Sequence, residues 1–215
     1  FFISSCQKVN KDSNNQSNMQ IVNLKTTDNI NIVGSFFKVN SSKGVILLHQ
    51  LNRDRKDYND FAKELNSYNY NVLSIDFRWH CNSDLDWQDF NSQDFNNMIK
   101  DLEAAVNFLD DNKVNKIAIV GASVGANIAS KSNLKTQVLL SPGLDYRGVK
   151  AALSDNKILI IVSEEDKYSF DSSKELNKKM PNSKLQVYKN KGHGISMLDK
   201  ETKDLIVSFL DKNLK

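Results

Sequence analysis

From residue 44 onward the chain repeats one alternation, a short unbroken apolar run followed by a stretch of helical period. The runs are GVILLH (44–49), NVLSID (71–76), KIAIVG (116–121), QVLLS (137–141), KILIIVS (157–163) and KLQVYK (184–189). A strand that shows no polar side along its length has both faces covered, which is the condition of parallel strands packed between helices. The intervening stretches supply the helices. Tyr58, Phe61, Ala62, Leu65 and Tyr68 form one apolar face, and Phe95, Met98, Ile99, Leu102, Ala105, Val106 and Leu109 form another. Leu205, Ile206, Phe209 and Leu210 repeat the spacing near the C-terminus. These stripes read as core, not as a cofactor box. Ahead of the alternation, QIVNLKTTDNINIVGSFFKV reads as a hairpin turning at Asp28-Asn29. The expected architecture is therefore a doubly wound, mostly parallel α/β sheet, flanked by helices on both faces and preceded by an antiparallel hairpin. Ligands of such sheets sit at the carboxyl ends of the strands.

The 215 residues suffice for one sizeable core and fall short of two ordinary ones. Residues 19–215 read as one domain. Residues 1–18 read as an apolar remnant followed by a disordered polar tether. The net charge of +3 comes from lysines scattered along the whole chain, without the clustered basic and aromatic residues of a nucleic-acid groove, so no nucleic-acid partner is expected. No stretch of about 18 apolar residues could span a bilayer. The two cysteines, Cys6 and Cys81, lack metal-ligand spacing, and no metal is expected. Ile3-Ser4-Ser5-Cys6 ahead of the polar run resembles the lipobox of bacterial lipoproteins. That resemblance implies lipidation at Cys6 and membrane anchoring outside the cytoplasm. The alternative is a plain tail with an incidental cysteine on a soluble cytoplasmic protein.

Gly121-Ala122-Ser123-Val124-Gly125 has the G-x-S-x-G spacing and lies between an apolar run and a helical stretch. A serine there sits on a strained turn, and glycines two residues to either side let the strand and helix close around it. Ser123 needs a base to act as a nucleophile. Of three histidines, His49 and His80 follow early strands and read as structural. His193, in the glycine-flanked loop KGHG after the last run, can be laid over the serine. The histidine in turn needs a carboxylate to fix its tautomer. Glu164, Glu165 and Asp166 follow the run 157–163, with Asp171 farther on.

The order Ser, acid, His, each after a different strand, resembles the α/β-hydrolase family over nearly all of residues 20–215. The resemblance selects Asp166 by the spacing of Ser163-Glu164-Glu165-Asp166, and leaves the two glutamates as solvated neighbours. It implies an oxyanion hole from the backbone N–H groups of Leu51 and Val124. Two departures from the family pattern stand out. Gln50 follows His49 where glycine is common, and DFRWHCNS carries Trp79 and Cys81 where relatives have glycines. Gln50 and Trp79 are candidate pocket walls, Trp79 alternatively a core indole. The implied activity is that of a small carboxylesterase-type serine hydrolase without a large cap, needing no cofactor and acting on a small ester or acyl substrate. Only PGLDYRGVKAALSDN separates the runs 137–141 and 157–163, where caps of this family enter. Thioesterase or peptidase activity, or an inactive surface-tethered binding protein on the same fold, are the alternatives.

Overall fold

A computed structural model of the chain describes residues 19–85 and 92–214. Cys6 and the rest of residues 1–18 lie outside the described residues. The N-terminal hairpin pairs β1 (Met19–Lys25) with β2 (Asn31–Phe37) across a turn in which Asn29 takes φ 66°, a left-handed conformation asparagine tolerates. Six further strands complete the main sheet: β3 (Lys43–Leu48), β4 (Asn71–Ile75), β5 (Lys116–Ala122), β6 (Thr136–Leu140), β9 (Lys157–Ser163) and β10 (Ser183–Tyr188). The spatial order is β1-β2-β4-β3-β5-β6-β9-β10. β2 runs antiparallel to β4, and every pairing from β4 to β10 is parallel.

The unbroken apolar runs have a direct explanation in the packing. Along β3, Val45 and Leu47 enter one hydrophobic cluster while Ile46 and Leu48 enter the other, on the opposite face of the sheet. Ala118 and Val120 alternate with Ile117 and Ile119 in the same way along β5, as do Leu159 and Ile161 with Ile158 and Ile160 along β9. Each such aliphatic side chain contributes about 1.5–3 kcal/mol on full burial. Helices α1 (Asn59–Ser67) and α5 (Lys200–Asn213) cover one face through Phe61, Leu65, Ile206 and Leu210. Helices α2 (Ser92–Asp111), α3 (Val124–Ser130) and α4 (Lys167–Lys179) cover the other. Among the described residues no helix is long and apolar enough to cross a membrane.

Two buried ion pairs fix the loops that leave β3 and β4. Arg55 pairs with Asp76, whose other oxygen accepts the Arg55 N–H at 2.8 Å, tying the chain after β3 to the end of β4. Arg78 reaches Asp101 on α2 at 2.8 Å and Asp28 in the hairpin turn at 2.9 Å, so one guanidinium joins three elements. Between β6 and β9 the chain makes only a miniature hairpin, β7 (Asp145–Tyr146) and β8 (Val149–Lys150), turning through Arg147 and Gly148 at φ 51° and 87°. Asn127 of α3 holds it down, donating to Val149 O at 2.7 Å and accepting from Gly143 N–H at 3.1 Å.

Candidate active site

Ser123 falls between β5 and α3 with φ 55° and ψ −120°, a conformation that costs a non-glycine residue about 1–3 kcal/mol and persists only where surroundings enforce it. Here its N–H donates to Leu140 O at 2.8 Å, and its carbonyl accepts the Ala126 N–H at 2.9 Å. The flanking glycines are required by close backbone approach. A Cβ on Gly121 would lie 2.3 Å from Gly125 O, and one on Gly125 would lie 2.6 Å from His49 O and 2.7 Å from Leu48 O. The elbow therefore presses directly on the end of β3. That contact brings the Gln50-Leu51 turn to the serine, and neither the Leu51 nor the Val124 N–H is committed to another backbone group in the described structure.

The acid and base arrive from the other side. Asp166 caps α4 without making a side-chain cap hydrogen bond; its Oδ2 meets His193 Nδ1 at 2.6 Å. With Nδ1–H so engaged, the basic lone pair of His193 is on Nε2. Burial pushes the Asp166 carboxyl up, but hydrogen bonds from Ser169, His193 and Ser141 outweigh it and hold the group below its ordinary value. The histidine loop has positive φ at Gly192 (75°) and Gly194 (58°) and is pinned at several points. Glu165 accepts the Gly192 N–H at 2.5 Å, Ser163 Oγ the Lys191 N–H at 3.0 Å, and Ser141 Oγ the Gly194 N–H at 3.0 Å. Glu165, read as a solvated neighbour of the acid, thus has a structural task.

The structure joins Asp166 to His193, whereas among the described residues no hydrogen bond links His193 to Ser123. The Tyr146 hydroxyl lies near the Ser123 side chain. Tyr146, on the miniature hairpin, bonds Ser169 Oγ at 2.7 Å and Ser141 O at 3.2 Å, and its ring centroid lies 6.3 Å from that of His193. Burial, foremost, raises its pKa, so the phenol remains protonated. Tyr168 packs edge-on against it at 5.4 Å and anchors the hairpin through Asp145 O at 2.5 Å. Sequence reasoning did not single out Tyr146. The signal available was the Tyr-Arg-Gly turn, which marks a hairpin and carries no information about what the ring faces.

The other candidates resolve as follows. Trp79 is 5 % exposed and belongs to the apolar cluster that also contains Phe95 and Val124, so the pocket-wall reading gives way to the core indole; its φ of 65° follows from the altered loop. Gln50, also expected as a pocket wall, turns its side-chain oxygen to the histidine loop and accepts the Ile195 N–H at 2.9 Å. His49 and His80 are buried and structural in their contacts. His49 bonds Gln50 O through Nδ1 at 2.8 Å and accepts the Phe77 N–H at Nε2 at 3.0 Å, and the two rings stack edge-on at 4.7 Å.

Comparison with known proteins bears on the fold that carries these residues. The model of the family described as serine aminopeptidase, S33, matches residues 40–154. A probable alcohol acetyltransferase of Cyberlindnera fabianii is 33 % identical over 101 residues, 46 % of this chain. The match covers 26 % of that protein, so the chain spans about a quarter of the length of the curated relative it resembles. An esterase of Pyrococcus furiosus superposes with a TM-score of 0.77 at 20 % identity, covering 96 % of this chain and 97 % of the other. A thermophilic esterase of Thermogutta terrifontis superposes with a TM-score of 0.73 at 17 % identity, covering 91 % and 100 %. At these identities the likeness establishes the α/β-hydrolase fold.

Proposed function

We propose that this chain, which belongs to the serine aminopeptidase S33 family of α/β-hydrolases, cleaves small carboxylic esters through an acyl-enzyme on Ser123. The observation that carries the proposal is the strained Ser123 elbow after β5 together with the bonded Asp166–His193 pair after β9 and β10, all three at the carboxyl ends of parallel strands of one sheet. In the reaction, the Ser123 hydroxyl donates to His193 Nε2, which takes its proton as the oxygen attacks the ester carbonyl. Asp166, held ionised, stabilises the imidazolium that forms. The Leu51 and Val124 N–H groups receive the oxyanion, each donor of this kind supporting about 10²–10³ in rate. His193 then returns the proton to the leaving alcohol, and water, activated by the same histidine, releases the acid.

Two features favour esters over peptides. The insertion between β6 and β9 is a hairpin of two-residue strands, too short to enclose an extended chain. Leu144 on this insertion and Tyr168 on α4, which packs against Tyr146, are exposed and offer an apolar surface suited to a short acyl or alkyl group. The purified domain is expected to turn over p-nitrophenyl acetate and butyrate well above a Ser123→Ala control, and leucine p-nitroanilide far more slowly. Anilide turnover exceeding ester turnover would reverse the assignment in favour of a peptidase. No ester turnover above the control would favour an inactive binding protein.

A further inference from the structure

We propose that Gln50 is a positioning residue for His193, locking the oxyanion loop and the histidine loop to each other through one side-chain hydrogen bond. The inference rests on the reading of Ser123, His193 and Asp166 as a hydrolytic triad. Its observations are geometric. Gln50 Oε1 accepts the Ile195 N–H at 2.9 Å, two residues after the base. A Cβ on Gly194 would lie 2.2 Å from the same oxygen, so the histidine loop rests directly on the Gln50 carboxamide, and at φ 58° a side chain at position 194 would be strained.

The Gln50 backbone is held equally firmly. Its carbonyl receives His49 Nδ1 at 2.8 Å and the Arg53 N–H at 3.2 Å, and His49 Nε2 accepts the Phe77 N–H, which anchors the whole turn to the end of β4. The next residue, Leu51, carries a proposed oxyanion donor. A continuous path of hydrogen bonds therefore runs from β4 through His49 and Gln50 to the loop that presents His193. A family member with glycine at position 50 would have no such strut. This chain places glutamine there, opposite a glycine that makes room for it, and a loop with two positive-φ glycines gains a fixed point next to its functional residue.

Two substitutions separate the acceptor from the shape of the side chain. Gln50→Met keeps the length and removes the acceptor, whereas Gln50→Glu keeps an acceptor oxygen at the same reach. A misplacement of about 1 Å in a catalytic group can cost as much as 10²-fold, so Gln50→Met is expected to lower kcat on p-nitrophenyl acetate by about 10-fold or more. KM should stay within about twofold, since ground-state binding does not use the strut. Gln50→Glu should retain clearly more activity than Gln50→Met. Independently of turnover, the downfield proton resonance of His193 Nδ1, identified by its absence from His193→Ala, should be sharp in the wild type and Gln50→Glu and broadened in Gln50→Met, at unchanged melting temperature. Wild-type kcat and resonance in Gln50→Met would overturn the proposal. So would equal impairment of both variants, or a loss of kcat that parallels a fall in melting temperature. An inactive wild type would defeat the esterase reading while leaving the resonance to report on the strut.

Discussion

Ser123→Ala and His193→Ala are each expected to lower kcat on p-nitrophenyl esters by about 10⁴-fold or more, and the double variant is expected to be no worse than either single one. The reason is that the nucleophile and base act as one unit. Without His193 the serine hydroxyl has no acceptor for its proton, and without Ser123 the imidazole has nothing to activate. Asp166→Asn should also cost about 10⁴-fold, because an amide cannot stabilise the imidazolium and admits the wrong histidine tautomer. Kinetics of the three single variants and the double variant on one ester measure this directly. Additive losses would mean that Ser123 and His193 serve separate steps, contrary to the arrangement in which both converge on one carbonyl.

The second large effect is on stability. Burial pushes the His49 imidazole down from 6.5 to about 4, against the hydrogen bond to Gln50 that favours its charged form, with the nearby Arg55 acting in the same direction as burial. Burial, reinforced by the neighbouring His49, pushes His80 down to about 3 despite Asp76 and Asp54. In the unfolded chain both rings take up a proton near pH 6.5; in the fold both stay neutral well below that. Between pH 6.5 and 4 the unfolded state therefore binds up to two protons that the native state does not, and stability present above pH 6.5 is lost as the pH falls. The gradient is about 1.4 kcal/mol per pH unit for each group once the unfolded form is fully titrated. The pair should thus cost about 3–4 kcal/mol between pH 7 and pH 5, a large fraction of a typical domain's stability. Urea unfolding at several pH values checks this, and His49→Gln, whose side chain does not titrate, should remove about half of the dependence. A flat profile from pH 7 to 5 would show that these rings are hydrated in the fold.

The parts of the molecule that were legible in advance were those written in apolar periodicity or in backbone necessity. The runs on β3, β5 and β9 announced two-sided burial because their alternate residues go to opposite clusters. Gly121 and Gly125 marked the elbow because a Cβ at either would collide with backbone. Helix α4 was not legible by that route: its buried face is Ser169, Ser172, Ser173 and Leu176, which gives almost no hydrophobic signal although Ser169 bonds Tyr146. Trp79 was undecidable between wall and core because a loop that replaces two glycines follows no standard path, and only tertiary packing places its indole. Gln50 could be seen as a departure. Its contact is with Ile195, 145 residues away, and no local pattern encodes such a pairing. Tyr146 escaped for the same reason, since its hydroxyl meets Ser141 and Ser169 only after β6, the miniature hairpin and α4 have assembled.

The central claim, that Ser123 is the nucleophile, is tested most directly by covalent capture. The purified protein is treated with a fluorophosphonate, the intact mass is measured, and the adduct is located by peptide mapping. The expected result is a single adduct on Ser123 in the wild type and none in Ser123→Ala. An adduct on any other residue, or undiminished labelling of Ser123→Ala, would contradict it.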